Sequence, residues 1–124
     1  MTNADVGVFR RLVNATRNSI NGLNAGWRTQ PPLRYEFYVL VIALPAAWLL
    51  GNGPVERALM IGACLLVVVV ELVNSAIEAV VDRIGPEHHE LSGRAKDLAS
   101  AAVFFSIILA VTVWAILLTD RWLH

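Results

Sequence analysis

The stretch Glu71-Leu72-Val73-Asn74-Ser75-Ala76-Ile77-Glu78-Ala79-Val80-Val81-Asp82 determines how the rest of this chain is interpreted. It follows the apolar run 58–70, which is typical of a membrane-buried helix. Its polar residues are spaced so that, at about 100° per residue, they share one helix face. These residues, called here the polar stripe, are Glu71, Asn74, Glu78 and Asp82. Because an acidic side chain in a membrane helix is costly, the stripe indicates a functional site.

The composition indicates one small membrane domain. The chain has 124 residues, of which 56% are hydrophobic, and its mean hydropathy is +0.58. These values are too apolar for an ordinary soluble domain of this length. The formal net charge is zero, so no basic field argues for a nucleic-acid partner. The single cysteine, Cys64, cannot form an intrachain disulfide.

The fold class predicted from the pattern is an all-α membrane protein with one domain over residues 1–124. An amphipathic helix lies on the membrane surface, and three transmembrane helices follow it. Proline or glycine pairs near residues 31, 51 and 85 separate these helices. The predicted ranges are 1–30 for the surface arm and 33–50, 55–84 and 86–119 for the transmembrane helices.

The basic residues predict the orientation in the membrane. Eight of the ten precede the first span or follow the second, and only Arg57 and Arg121 lie on the other side. The positive-inside rule therefore predicts a cytoplasmic N-terminus and a C-terminus on the opposite, outer side. With this orientation the polar stripe crosses the cytoplasmic surface of the bilayer. Glu71 then lies about two turns below that surface, while Glu78 and Asp82 emerge at it.

Small residues recur near every fourth position of the third span. They are Ala95, Ala99, Ala102, Ser106 and Ala110. Such a face lets helices approach closely, and it predicts tight self-association.

The stripe suits phosphoryl transfer, which depends mostly on positioning and on neutralising charge. A partly desolvated Glu71 takes up a proton more readily than an exposed carboxylate and so suits a general base. Glu78, closer to water, suits Mg²⁺, which prefers carboxylate oxygens and phosphate. Arg83, Arg94 and Lys96 supply positive charge for phosphate.

Spacing alone leaves simpler interpretations open. Glu71 could form a structural ion pair or serve a proton pathway, and Asn74 could hold two helices together by a hydrogen bond. Asp82 could be an ordinary interfacial anchor, and Glu90 with Arg94 a simple i,i+4 salt bridge. The residues alone therefore indicate only a carboxylate-lined site at the inner membrane surface.

Two segments resemble the signature of the prokaryotic diacylglycerol kinase family. The first is Glu71-x-x-Asn74-Ser75-Ala76-Ile77-Glu78-x-x-Val81-Asp82, and the second is His89-Glu90-Leu91-Ser92-Gly93-Arg94-Ala95-Lys96-Asp97. The layout of a surface arm and three spans in about 120 residues is also similar to that family. The resemblance covers essentially the whole chain and is most specific from residue 71 to 97.

The resemblance implies a homotrimeric enzyme of the bacterial inner membrane that uses ATP and Mg²⁺ to phosphorylate diacylglycerol to phosphatidic acid. An undecaprenol kinase of the same family is the nearest alternative. The alternative of a different class is a non-enzymatic trimeric pathway for protons or cations, with Glu71 as a relay.

The resemblance also implies roles for single residues. The catalytic residues are Glu71 as the base and Asn74. The metal positions are Glu78 and Gln30. The ATP-binding residues are Arg11, Asn18, Gln30, Glu78, Glu87, His88, His89, Lys96 and Asp97. The lipid-binding residues are Arg11, Arg34, Glu36, Trp48, Arg57, Glu71, Ser100 and Trp114.

The chain departs from the family pattern at two of these positions. Gln30 stands where the family often has a carboxylate that serves as a second metal ligand, and a neutral amide binds Mg²⁺ more weakly. Asn18 stands where an aromatic residue is common near the nucleotide. These departures concern metal and ATP affinity and leave the base in place.

Overall fold

The computed structural model describes residues 2–123, and within them the chain forms four α-helices. They are α1 (Asn3–Thr29), α2 (Pro31–Leu50), α3 (Gly53–Ile84) and α4 (Glu90–Leu123). The all-α prediction is confirmed. α4 begins later than the predicted residue 86 and continues past 119. Its start is fixed by His89, whose ring nitrogen Nδ1 accepts a hydrogen bond from the backbone N–H of Leu91 at 3.1 Å.

Helix α1 lies in a compact unit of its own, which within the described residues ends at Pro31. A capping box fixes its start: Asp5 accepts hydrogen bonds from the backbone and hydroxyl of Thr2, and the Thr2 hydroxyl accepts one from the backbone of Asp5. The backbone bond from Thr2, together with the hydroxyl bond, holds the pKa of the Asp5 carboxyl below its usual value. Phe9, Leu12 and Ile20 are exposed at helical spacing. This amphipathic pattern suits a helix at a membrane surface.

The second unit, which begins at Pro32, carries the spans. Among the described residues, α2, α3 and α4 are each long and apolar enough to cross a membrane. Large apolar side chains face outward along them; Ile42, for example, is 74% exposed and Leu49 81% exposed. Soluble proteins rarely expose so continuous an apolar surface, whereas a bilayer solvates it.

The main contact between helices is the one between α3 and α4. On α3 the less exposed positions include Met60, Val67, Asn74 and Val81, which are seven residues apart. On α4 they include Ala99, Ser106 and Val113, with the same spacing. A seven-residue repeat keeps two helices in contact along a continuous seam, and small residues allow the helices to approach closely.

The seam uses part of the small-residue face for which we predicted self-association. Ala99 and Ser106 are buried within the single chain, while Ala102 is exposed. The small residues of α4 therefore serve first to bring α3 close, and only the exposed side of this face is left for a second copy.

Three side-chain contacts fix the antiparallel register of the seam. Near one end the Trp114 indole N–H donates to the carbonyl oxygen of Met60 at 3.2 Å. At the other end the Lys96 ammonium donates to Asp82 Oδ1 at 2.7 Å. The third contact, beyond Trp114, joins Arg121 to Glu56 at 3.7 Å. Along α3, Glu71 is midway between Met60 and Asp82, so it lies opposite the middle of α4, near Ser106.

Helix α2 packs on a neighbouring face of α3 through an apolar cluster. Leu33 and Leu40 from α2 are buried with Val68 from α3. Partly buried side chains surround this cluster: Phe37, Leu44, Cys64 and Leu72. α3 therefore packs against both α2 and α4.

The turn between α2 and α3 is closed by Arg57. Its Nε donates to the carbonyl oxygen of Trp48 at 2.9 Å, and its guanidinium lies 4.5 Å from the centre of the Trp48 ring. Glycine at position 51 makes this packing possible. A Cβ there would lie 2.6 Å from Arg57 Cγ and 2.9 Å from the carbonyl oxygen of Ala47.

We expect Gly51→Ala to destabilise the protein, because the added methyl group displaces Arg57 from Trp48. Overpacking of this kind costs about 1–3 kcal/mol. Thermal unfolding in detergent micelles measures the effect. Gly62→Ala is the matched control, since a Cβ at Gly62 meets nothing within 4 Å. Equal melting temperatures for the two variants would contradict this account of the turn.

Candidate functional site

The polar stripe passes from the buried seam to the exposed end of α3. Glu71 is only 4% exposed and Asn74 8% exposed. Glu78 is half-buried, and Asp82 is exposed. The stripe thus connects a buried carboxylate to the polar surface along one face of a single helix.

Asn74 lies between two of the three carboxylates of the stripe, Glu71 and Glu78, and interacts with both. Its Nδ2 donates to Glu78 Oε1 at 3.4 Å, a long hydrogen bond, and its side chain also interacts with the Glu71 carboxylate. Its carbonyl oxygen Oδ1 is buried and has no hydrogen-bond partner within residues 2–123. The amide therefore orients the two acids and keeps one acceptor available for a ligand.

Glu36 on α2 brings a further carboxylate to the buried end of the stripe. Its charge interacts with that of Glu71. The buried atoms Glu36 Oε2 and Ser75 Oγ have no hydrogen-bond partner in the described part of the chain. Sequence reasoning assigned Glu36 only a contact with lipid; its place near Glu71 depends on how α2 packs on α3. Buried polar atoms are usually paired, so these free atoms indicate a place where a polar ligand group binds.

Two contiguous apolar grooves lead away from Glu36. A cavity of about 310 Å³ begins beside Glu36 and shares Val39, Cys64, Ala110 and Val111 with a second groove of about 570 Å³. The second groove continues to Trp114. An apolar channel that starts at polar groups suits a molecule with a polar head and a hydrocarbon tail.

A polar cleft of about 230 Å³ lies at the other end of the stripe, in the loop between α3 and α4. Four of the residues predicted to bind ATP line it: Glu87, His88, His89 and Lys96. Asp82, Ser92 and Gly93 complete much of the wall. The fifth predicted residue of this region, Asp97, is exposed on α4.

Other predicted lipid contacts lie away from Glu71. Trp48 and Arg57 contact each other at the far end of α3. Fourteen residues separate Arg57 from Glu71, which corresponds to about 21 Å of helix. Arg34 is half-buried near the start of α2, and Ser100 is exposed on α4. The structure therefore brings Glu36 to Glu71 but leaves Trp48 and Arg57 where only the distal part of a long lipid reaches.

The predicted residues of the arm belong to the first unit. Arg11 and Asn18 are exposed on α1. Gln30 follows the last residue of α1, and its backbone N–H donates to the carbonyl oxygen of Gly26 at 2.8 Å.

The donor atoms of the stripe suit a magnesium ion that also binds phosphate. No group of three or more His, Cys, Asp or Glu side chains that could hold a metal lies together in residues 2–123. Mg²⁺ does not require one, because it commonly binds one or two carboxylates and takes its other ligands from water and phosphates. The Glu78 carboxylate and the free Asn74 Oδ1 match that preference.

Two of the simpler interpretations concern ion pairs near the loop between α3 and α4. Glu90 and Arg94 form the expected i,i+4 salt bridge at 3.1 Å, and both side chains are exposed. Asp82 is bound to Lys96, so it joins α3 to α4 across the loop.

Comparison with known proteins agrees with this layout. The family model for prokaryotic diacylglycerol kinase matches residues 17–118. The diacylglycerol kinase of Escherichia coli strain K12 is 48% identical over 124 residues, which covers 100% of this chain and 98% of that protein. The diacylglycerol kinase of Haemophilus influenzae is 46% identical over 103 residues, covering 83% and 87% respectively. That of Pseudomonas aeruginosa is 45% identical over 110 residues, covering 89% of each chain. This chain belongs to the prokaryotic diacylglycerol kinase family.

Proposed function

We propose that this protein is a diacylglycerol kinase, which transfers the γ-phosphate of ATP to the free hydroxyl of diacylglycerol and forms phosphatidic acid and ADP. The observation that supports it best is the buried Glu71 carboxylate. It interacts with Glu36, which lines an apolar groove, and it belongs to the polar stripe, whose last residue, Asp82, lines a polar cleft. The names of the relatives support the choice of lipid.

In this proposal Glu71 is the general base. The lipid enters along the groove beside Glu36 with its hydroxyl toward Glu71. As the hydroxyl oxygen bonds to the γ-phosphorus, Glu71 takes the hydroxyl proton and the bond from phosphorus to the ADP oxygen breaks. Burial favours proton uptake by a carboxylate, which suits this step.

Glu78 and Asn74 position the reacting groups. Glu78 lies about two turns from Glu71 and one turn from Asp82, and so between the base and the cleft. We propose that Glu78 holds Mg²⁺ and that Asn74 holds Glu71 and Glu78 in place. The bound ion would neutralise negative charge on the phosphates of ATP.

The cleft between α3 and α4 is the proposed site for the phosphates of ATP. Lys96 supplies positive charge there, and Glu87, His88 and His89 line the same space. Arg11, Asn18, Gln30 and Asp97 are further proposed nucleotide contacts. Gln30 would contribute a metal ligand weaker than a carboxylate.

The proposed setting is the bacterial inner membrane, with the N-terminus and the loop between α3 and α4 in the cytoplasm and the C-terminus in the periplasm. The distribution of basic residues supports this orientation. We further propose a homotrimer as the working form.

We expect Glu71→Gln to lower kcat by about 10²–10⁴-fold, since it removes the base without changing the side-chain shape. The measurement is transfer of labelled γ-phosphate from MgATP to diacylglycerol in mixed micelles, with undecaprenol as a parallel substrate. If only undecaprenol is labelled, the substrate assigned to this protein changes from diacylglycerol to undecaprenol. If neither lipid is labelled by the wild-type protein, flux of protons or cations without ATP is the activity to test next.

The variant Asn74→Leu distinguishes a functional role of Asn74 in the stripe from a structural role. We expect kcat to fall at least about tenfold while the melting temperature does not fall. The reason is that, within residues 2–123, the Asn74 amide interacts only along α3, with Glu78 and Glu71, and so the variant loses no hydrogen bond to another helix. If Asn74 instead held two helices together by a hydrogen bond, the same variant would melt at a lower temperature.

Ala102→Leu tests self-association. Ala102 is exposed on α4, so a larger side chain there leaves the seam of the single chain intact. We expect a weaker oligomer, because the small residue allows close approach of a second copy. The measurement is the mass of the oligomer in detergent, and Ala101→Leu, at the neighbouring exposed position, is the control. An unchanged oligomer would exclude this face of α4 as the interface.

A further inference from the structure

His89 occupies the N-cap position of α4. Its carbonyl oxygen accepts the hydrogen bond from the backbone N–H of Gly93 at 3.0 Å, and its Nδ1 accepts the one from Leu91 at 3.1 Å. The N-cap side chain normally satisfies a backbone N–H that has no partner inside the helix. Serine, threonine, aspartate and asparagine are the usual residues at this position. A histidine there differs from them because its ring can cap only while one ring nitrogen is unprotonated.

Capping and protonation exclude each other at His89. A neutral imidazole has one acceptor nitrogen, and the bond to Leu91 requires that nitrogen to be Nδ1. A protonated imidazole has no acceptor, and its positive charge is unfavourable at a helix N-terminus. The cap is therefore present when the His89 ring is neutral and is lost when Nδ1 is protonated.

The cap bears directly on the cleft between α3 and α4. His89 lines the cleft, and so do Ser92, Gly93 and Lys96 from the first two turns of α4. Lys96 also forms the 2.7 Å contact with Asp82 that joins the two helices. If the first turn of α4 frays, the backbone that carries one wall of the cleft loses its fixed place.

We propose that His89 is a positioning residue, whose neutral side chain caps α4 and so holds Lys96 and the cleft wall in the arrangement that takes the phosphates of a nucleotide. The nucleotide part of this inference rests on the proposed function, whereas the cap does not. Among the described residues, the charged and titratable groups that line the cleft together with His89 are Asp82 from α3, Glu87 and His88 from the loop, and Lys96 from α4.

Amide exchange at Leu91 tests the cap in the full-length protein in micelles, without nucleotide. The protection factor of this amide is compared at pH 7.5 and 5.5. Loss of an N-cap shifts such an equilibrium by about fivefold. We expect wild-type protection to fall by about that factor at the lower pH. His89→Asn should stay protected at both values, because asparagine caps without titrating, and His89→Ala should be unprotected at both.

His88→Asn is the matched control for the titration. It removes the neighbouring imidazole from the same cleft but leaves the cap, so the pH dependence at Leu91 should match that of the wild-type protein. Wild-type protection that does not change with pH, or a His89→Asn protein as sensitive as the wild type, would overturn the role of His89.

The link to the cleft is tested by kinetics. In His89→Ala the KM for MgATP should rise at least about fivefold while kcat changes less, and His89→Asn should restore part of the loss. If His89→Ala instead lowers kcat at least about fivefold and leaves the KM for MgATP unchanged, the positioning role is overturned, even if the Leu91 result holds. If even the wild-type protein phosphorylates no lipid, the proposed function fails, and the Leu91 amide still decides whether His89 caps α4.

Discussion

The structure depends on the close contact between α3 and α4. Small α4 residues, Ala99 and Ser106, let α3 approach closely enough that Glu71 and Asn74 are buried. Without that approach, the stripe would face lipid, where an acidic side chain has no partner. The same contact that holds the two spans together therefore creates the desolvated environment that makes Glu71 a suitable base.

A buried carboxylate such as Glu71 lowers the stability of the fold unless it takes part in function. The buried oxygen of Asn74, the hydroxyl of Ser75 and one oxygen of Glu36 lack partners in the described residues. Each such group lowers stability by about 1–3 kcal/mol. Several of them in one place are better explained by a ligand that completes the bonding than by a structural role, since a structural network would be satisfied within the protein.

Much of this could be predicted from the sequence, because the decisive signals are local. The spacing of Glu71, Asn74, Glu78 and Asp82 placed them on one helix face, and the prolines at 31, 54 and 86 separated the helices. The rest depends on packing. Nothing local to Glu36 indicates that α2 brings it to Glu71, and the alanine face of α4 gives no sign of which helix it contacts. A histidine N-cap was also missed, because the usual cap residues are serine, threonine, aspartate and asparagine.

The two ends of the seam are held in different ways. At the end near the turn between α2 and α3, Glu56 and Arg121 are partly buried, with side chains 28% and 30% exposed, and Trp114 is bound to Met60. At the end near the cleft, Lys96 and Asp82 are 43% and 68% exposed. Exposed ion pairs contribute little, and regions with few buried contacts open first. The end that forms the proposed nucleotide cleft can therefore adjust to a ligand while the opposite end keeps Glu71 in register, and the cap at His89 then matters more than its single hydrogen bond suggests.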